Sequence, residues 1–126
     1  MSWQSYVDDH LIATGTVSQA AICDLEGNMW AQSPGFAPSP SEVATIVKGF
    51  SNVALLQSGG ITCAGVKYMY IRSDEKEVFG RKGASAVGAA LCNSCVLIGT
   101  CAENIQPGQF TTTLFKLADY LRDSGM

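Results

Sequence analysis

Five short segments in the second half of the chain constrain its fold most strongly. They span residues 61–64, 66–71, 77–80, 85–91 and 95–100, and most of them are rich in Val, Ile or Tyr. Turn residues separate them at short intervals, as in antiparallel strands that follow one another along a sheet. Two earlier segments, 20–24 and 29–32, form a further predicted hairpin, because Gly27 and Asn28 between them tolerate a tight turn. The sequence therefore predicts an antiparallel sheet of several strands.

Helical patterns lie on both sides of these strands. Apolar residues recur at helical spacing from residue 2 to about residue 12, and they do so again after Pro107 and Gly108. The apolar face of this last helix consists of Phe110, Leu114, Leu117, Ala118 and Leu121. Helices that enclose an antiparallel sheet define the α+β class. Because 126 residues are enough to bury one core, we expect a single domain over residues 1–126.

A third helix has the clearest start signal in the sequence. Ser39 is the predicted N-cap, Pro40 occupies the first helical position, and Glu42 completes a capping box. The apolar positions that follow are Val43, Ile46, Val47 and Phe50. Their spacing predicts that one side of this helix is buried.

Charge and hydropathy exclude several classes of protein. No apolar run approaches the ~20 residues that a membrane span requires. Asp8, Asp9 and His10 interrupt the amino-terminal segment, so it does not have the pattern of a secretory signal. The net charge of −3 argues against a general nucleic-acid binder. We therefore expect a soluble cytoplasmic protein without a nucleic-acid partner.

Cys92 and Cys95 have a spacing that is found in metal and redox sites. A zinc site needs further ligands, however, and His10 is the only histidine in the sequence. Asn93 and Ser94 between the cysteines indicate a two-residue hairpin turn, whereas a thioredoxin-like pair begins a helix. We therefore expect structural thiols, no metal and no cofactor. A thiol redox or metal-binding protein that uses Cys92 and Cys95 is the first alternative.

Aromatic residues near both ends of the chain indicate a binding site. Trp3 and Tyr6 lie one turn apart on the first helix, Trp30 lies on the early hairpin, and Tyr120 lies on the last helix. Aliphatic residues on the same helices can supply the core contacts, so some of the rings can be partly exposed. Outward-facing indole N–H and phenol O–H groups suit a polyproline II ligand, whose carbonyls are unsatisfied. Rings buried in the core are the alternative.

No nucleophile has a visible base beside it, and no pair of carboxylates stands out, so the sequence indicates a recognition protein and not an enzyme.

Four of the eight basic residues are clustered, namely Arg72, Lys76, Arg81 and Lys82. Acidic residues are interleaved with them, so composition alone favours a mixed-charge turn over an anion site.

The sequence resembles the profilin family over essentially the whole chain. The segments that carry the resemblance are MSWQSYVD (1–8), GNMWAQS (27–33), IRSD (71–74), FGRKG (79–83), IQPG (105–108) and KLADYL (116–121). The resemblance implies an actin-monomer-binding protein that regulates actin polymerisation in the cytoplasm and cytoskeleton. It also implies a central antiparallel sheet, with the terminal helices on one face and smaller helices on the other. Proline-rich proteins such as actin elongation factors are the second implied class of partner.

The resemblance assigns residues to three sites. The polyproline site corresponds to Trp3, Tyr6, Trp30 and Tyr120, the same residues that were identified above from their positions. The actin site corresponds to Arg72, Phe79, Arg81, Lys82, Gln109, Thr112 and Lys116. The phosphoinositide site corresponds to Arg72, Lys76, Arg81 and Lys82.

The chain departs from the family pattern after Gly83. Residues 87–94 are neutral, whereas relatives often carry a basic residue there. Each basic residue near an anionic membrane contributes about 1 kcal/mol, so we expect lipid binding to be weaker than usual. A module that chiefly binds phosphoinositides is the second alternative.

Overall fold

A seven-stranded antiparallel sheet forms the centre of the computed structural model, which describes residues 3–125. The strands are β1 (Gln19–Asp24), β2 (Met29–Gln32), β3 (Ile61–Cys63), β4 (Val66–Ser73), β5 (Glu77–Lys82), β6 (Ser85–Leu91) and β7 (Cys95–Cys101). Their order across the sheet is β2-β1-β7-β6-β5-β4-β3. Because β1 pairs with β7, strands from the two ends of the chain meet inside the sheet. Every strand predicted from the sequence is present, with small differences at the ends.

Within residues 3–125, four α-helices cover the two faces of the sheet. They are α1 (Trp3–His10), α2 (Pro40–Gly49), α3 (Val53–Gly59) and α4 (Pro107–Asp123). One core cluster joins Val7 of α1 and Leu114 of α4 to the sheet. A second core cluster joins Ile46 of α2 and Leu56 of α3 to the opposite face. The predicted α+β arrangement, with the terminal helices together on one face, is therefore confirmed.

Two helical segments differ from the sequence-based prediction. The first helix ends at His10 and not near residue 12, because a short 3-10 helix (Ile12–Thr14) follows it and ends at Gly15, whose φ is 77°. The predicted start of this helix at Ser2 lies outside the described residues. No helix over Val53–Gly59 was predicted from the sequence pattern, although the family resemblance implied smaller helices on this face of the sheet.

The amino-terminal part of α4 lies close to the sheet because two glycines face it. Gly88 of β6 and Gly99 of β7 are direct partners across the two strands. The fully buried ring of Phe110 lies over this pair. A Cβ atom at Gly88 would lie 3.0 Å from Leu114 and 3.2 Å from Phe110, closer than ordinary contact. The absence of side chains at these two positions therefore sets how near α4 approaches the sheet.

The predicted capping box of α2 is present. The backbone N–H of Ser39 donates to Oε1 of Glu42 at 2.7 Å, and the Glu42 N–H donates to the Ser39 hydroxyl at 3.2 Å. The same carboxylate accepts hydrogen bonds from the N–H groups of Ala64 (3.0 Å) and Gly65 (2.9 Å). These two residues form the β3–β4 turn and have φ values of 52° and 80°. Glu42 therefore links the start of α2 to a strained turn.

We expect Glu42→Gln to lower the free energy of unfolding by about 1–2 kcal/mol at pH 7, as for loss of a cap. Partial burial by itself raises the pKa of Glu42, but the hydrogen bonds from Ser39, Gly65 and Ala64 together lower its pKa below the ordinary value. A lowered native pKa stabilises the fold above the unfolded pKa of about 4.3, and this contribution is lost as the pH falls through the native pKa.

Urea unfolding at pH 7 and at pH 3 would test this expectation, with the exposed Glu75→Gln as a control that removes the same charge. The difference between Glu42→Gln and the unmodified protein should shrink at pH 3. A difference of equal size at both pH values would contradict the assigned role of the carboxylate.

Candidate ligand-binding surfaces

Four aromatic side chains from three separate elements meet on the face that carries α1 and α4. The ring centroids of Trp3 and Trp30 are 4.9 Å apart, those of Trp3 and Tyr6 are 5.7 Å apart, and those of Tyr6 and Tyr120 are 6.3 Å apart. All three pairs are tilted by 47–51°. Trp30 is 37% exposed and Tyr120 is 55% exposed, while Trp3 and Tyr6 are half-buried. We call this surface the aromatic groove.

The position of α1 beside β2 depends on a glutamine that the sequence analysis did not single out. Nε2 of Gln4 donates to the carbonyl oxygen of Gln32 at 2.9 Å and to Oδ1 of Asp8 at 3.0 Å. The backbone N–H of Gln32 donates in turn to Oε1 of Gln4 at 3.4 Å. Gln4 therefore pairs with the end of β2, which brings Trp3 against Trp30.

A cavity of about 430 Å³ opens beside the aromatic groove. Its lining consists of Tyr6, His10, Thr14, Thr112, Thr113, Lys116, Leu117 and Tyr120. The His10 ring lies 5.6 Å from the Tyr6 ring, so His10 lies on the same face as the aromatic groove, a position that was not predicted from the sequence. Partial desolvation, followed by the charge of Tyr120 and a hydrogen bond to it, raises the pKa of Tyr6. The Tyr6 phenol is therefore a neutral donor.

The seven residues assigned to actin binding lie on three elements, β4, β5 and α4. Arg72 and Phe79 lie together on β4 and β5, and Arg81 and Lys82 lie at the far end of β5. Gln109, Thr112 and Lys116 lie on α4, and the last two line the cavity next to the aromatic groove. The first half of α4 therefore lies between the aromatic groove and the surface of β4 and β5.

The guanidinium of Arg72 lies over the ring of Phe79, 5.2 Å from its centroid. Phe79 is only 7% exposed, so its ring supports Arg72 and offers little surface of its own. The half-buried Phe115 of α4 lines the same depression, whose volume is about 280 Å³. The role of Phe79 in actin binding stays a prediction. We expect it to be indirect, because the Phe79 ring supports the Arg72 side chain.

Exposed apolar side chains on β4 were not identified from the sequence. Met69 is 70% exposed and Ile71 is 46% exposed. Met69 is the direct cross-strand partner of Arg81. A depression of about 480 Å³ is lined in part by Lys67, Met69, Arg81 and Lys82. Strand alternation could have placed Lys67 and Met69 on one face, but it does not show whether that face is covered.

Arg81 has a buried donor without an acceptor. Its Nε makes no hydrogen bond within residues 3–125, although the atom is excluded from solvent. Such groups are rare in folded proteins, because an unpaired buried donor costs about 1–3 kcal/mol. A ligand that supplies an acceptor at this position would remove that cost.

Cys92 and Cys95 lie on either side of the predicted two-residue turn and are buried. A hydrogen bond from Cys95 is the main cause that lowers the pKa of Cys92, and it raises the pKa of Cys95. The Cys92 thiol donates to the carbonyl oxygen of Ala118 on α4 at 3.8 Å. Within residues 3–125, no group of three or more His, Cys, Asp or Glu side chains is placed to bind a metal ion. The two thiols thus pack beneath α4.

Comparison with known proteins identifies the family. The sequence model of the profilin family matches residues 1–126. The chain belongs to the profilin family. Profilin-A of Physarum polycephalum is 50% identical over 125 residues, which cover 99% of each chain. The crystal structure of Acanthamoeba castellanii profilin II has 43% identity and a TM-score of 0.97, and the match covers 99% of this chain and 100% of that one.

A mouse relative was solved with a ligand. Mouse profilin IIa, in complex with a double repeat from the FH1 domain of mDia1, is 26% identical with a TM-score of 0.76, and the match covers all of both chains. The profilin fold predicted from the sequence is thus confirmed, as is the predicted role in regulating actin polymerisation. The comparisons do not support the thiol redox, metal-binding or chiefly lipid-binding alternatives. No helix among residues 3–125 combines the length and hydropathy of a membrane crossing.

Proposed function

We propose that the aromatic groove binds proline-rich segments and that a separate surface, centred on β4 and β5, binds monomeric actin. Through these two surfaces the protein opposes spontaneous nucleation and delivers actin monomers to proline-rich elongation factors. The observation that carries the proposal is the convergence of Trp3, Tyr6, Trp30 and Tyr120 into one partly exposed surface. The mouse relative's complex with FH1 repeats supports it.

The dimensions of the aromatic groove suit an extended ligand. From Trp30 through Trp3 and Tyr6 to Tyr120, the three steps between ring centroids span at most roughly 17 Å, the length of about five residues of a polyproline II helix. Tilted rings form shallow recesses between them that accept pyrrolidine rings. A polyproline II segment is already ordered before it binds, so it loses little conformational entropy on an exposed and rigid surface.

The proposed actin surface has an apolar centre and a basic margin. Met69 and Ile71 supply the exposed apolar area, and Arg72, Arg81 and Lys82 lie around it. Protein interfaces commonly combine a desolvated apolar centre with a polar rim. Basic residues at such a rim mainly accelerate the encounter with an acidic partner and improve specificity. Gln109, Thr112 and Lys116 of α4 are the predicted contacts on the other side, and the last two also line the cavity beside the aromatic groove.

The phosphoinositide site is proposed at the same edge. Arg81 and Lys82 line one depression together with Lys67, whereas Arg72 and Lys76 line two other depressions. A phosphorylated head group bound at Arg81 and Lys82 would therefore cover part of the proposed actin surface. We expect actin and lipid to compete for this part of the protein.

We also propose that residues 1–126 form a single domain that acts in the cytoplasm and on the cytoskeleton. It has no catalytic cycle and needs no cofactor. Its activity consists of holding two partners at once.

The test is a pull-down on immobilised polyproline from a lysate that contains actin, followed by elution and a probe for actin. We expect the protein to be retained and actin to elute with it. The control is a protein-free column, on which actin should not be retained. Failure of the protein to bind the column would refute the proposed groove, and retention without actin would refute simultaneous binding.

A further inference from the structure

The cavity beside the aromatic groove adds a chemically different compartment to the proposed ligand path. Tyr6 and Tyr120 belong both to the groove and to the cavity lining, so a segment that lies on the rings continues directly into the cavity. The opposite end of the groove, at Trp30, consists of aromatic surface. Residues of the ligand next to its prolines would therefore meet Lys116, His10 and the threonines.

The threonine hydroxyl protons of this cavity are already used within the protein. Thr112 donates to the carbonyl oxygen of Gly108 at 2.7 Å, and Thr14 donates to that of Leu11 at 2.6 Å. The hydroxyl oxygens of Thr14 and Thr16 are 2.9 Å apart. Because Thr14 already donates its only hydroxyl proton to Leu11, Thr16 must be the donor in this pair. The 2.7 Å contact between Thr16 and Thr113 then requires Thr113 to donate.

Lys116 is the strong donor that remains. Its ammonium group makes no hydrogen bond or ion pair with any residue in the described part of the chain. None of the residues that line the cavity carries a carboxylate. Asp119, one position before Tyr120, pairs instead with Arg122 at 2.7 Å. The cavity thus presents a positive charge that no carboxylate in its lining compensates.

We propose that this cavity is a specificity subsite that accepts an Asp or Glu side chain adjacent to the prolines of a proline-rich ligand. The carboxylate of the ligand pairs with the Lys116 ammonium, while the prolines remain on the aromatic rings. This inference rests on the proposed function of the groove. It adds a selection among proline-rich partners, because ligands with an acidic flank are preferred to ligands of equal length with a neutral flank.

Fluorescence anisotropy with labelled peptides tests the subsite without actin. One peptide contains prolines only, two carry Glu at the amino or the carboxyl end of the prolines, and two carry Gln at the same positions. The proteins are the unmodified chain, Lys116→Met, and Lys48→Met. Lys48 is an exposed lysine on α2, on the other face of the sheet, so its variant loses the same charge far from the groove.

For at least one end, we expect the unmodified protein and Lys48→Met to bind the Glu peptide about three- to fivefold more tightly than its Gln counterpart, as for a partly exposed ion pair. This ratio should fall to about one in Lys116→Met. It should also shrink between roughly 10 mM and 150 mM ionic strength, because the screening length falls from about 30 Å to about 8 Å.

Equal binding of the Glu and Gln peptides at both ends, or a ratio unchanged by Lys116→Met, would overturn the subsite. If the proline-only peptide still binds in that case, the proposed function of the groove stands. If the proline-only peptide fails to bind the unmodified protein, both the subsite and the proposed function are overturned.

Discussion

Replacing Trp3 with alanine should abolish retention on immobilised polyproline and leave actin binding largely intact. The Trp3 ring is the link between Trp30 on β2 and Tyr6 on α1, so its loss divides the aromatic groove into two parts. Truncation of a central aromatic residue in an interface typically costs 2 kcal/mol or more, which corresponds to roughly 30-fold weaker binding. Column retention and peptide anisotropy would measure the loss.

Two controls separate lost binding from lost folding. Trp3 also packs against the core cluster beneath α1, so the variant should be compared by thermal unfolding with the unmodified protein. Leu55→Ala removes a 41% exposed apolar side chain from α3 on the opposite face, and we expect it to bind polyproline normally. Loss of polyproline and actin binding together would mean that the two surfaces are not separate. Undiminished retention would remove Trp3 from the site.

Charge reversal at Arg81 and Lys82 should weaken actin binding by about tenfold or more at low salt. Both residues lie at the end of β5 beside the exposed Met69. Two new carboxylates there would repel an acidic partner and would mainly slow association. The affinity for labelled actin monomers and its dependence on ionic strength are the measurements. Flotation with phosphoinositide-containing vesicles should decrease in the same variant.

Single reversals provide the matched comparison for this experiment. Lys82→Glu and Lys48→Glu change the net charge equally, but only Lys82 lies on the proposed actin surface. We expect Lys48→Glu to have little effect on actin binding. Retention of the double variant on polyproline would show that the protein is still folded. Unchanged actin affinity in the double variant would exclude this surface.

Local rules were sufficient for most of the fold. The capping box at Ser39 and Glu42 was readable because its residues lie within one helical turn. The strands were readable from turn residues and β-branched composition. In contrast, α3 has only Leu56 buried and no side-chain cap at Asn52, so it gave no periodic signal. It forms because Leu56 packs against the second core cluster.

The ligand-binding surfaces depend on contacts between distant parts of the chain. The sequence and the family resemblance identified all four aromatic residues, but the closeness of Tyr6 to Tyr120 arises only from the packing of α1 beside α4. The roles of Gln4 and His10 were missed for the same reason, because each depends on a neighbour in space. Lys116 is different, because it lies four positions before Tyr120 on the predicted last helix, and helical spacing alone could have placed it next to the aromatic groove.

The glycine pair beneath Phe110 has a consequence at the far end of α4. Tyr120 lies ten positions beyond Phe110, about 15 Å along the same rigid helix. A methyl group at Gly88 or Gly99 would displace the Phe110 end by a few tenths of an ångström and tilt the helix. Such a tilt would alter the gap between the phenol rings of Tyr6 and Tyr120. Gly88 and Gly99 therefore influence the geometry of the aromatic groove, although both lie inside the sheet and neither forms part of the groove.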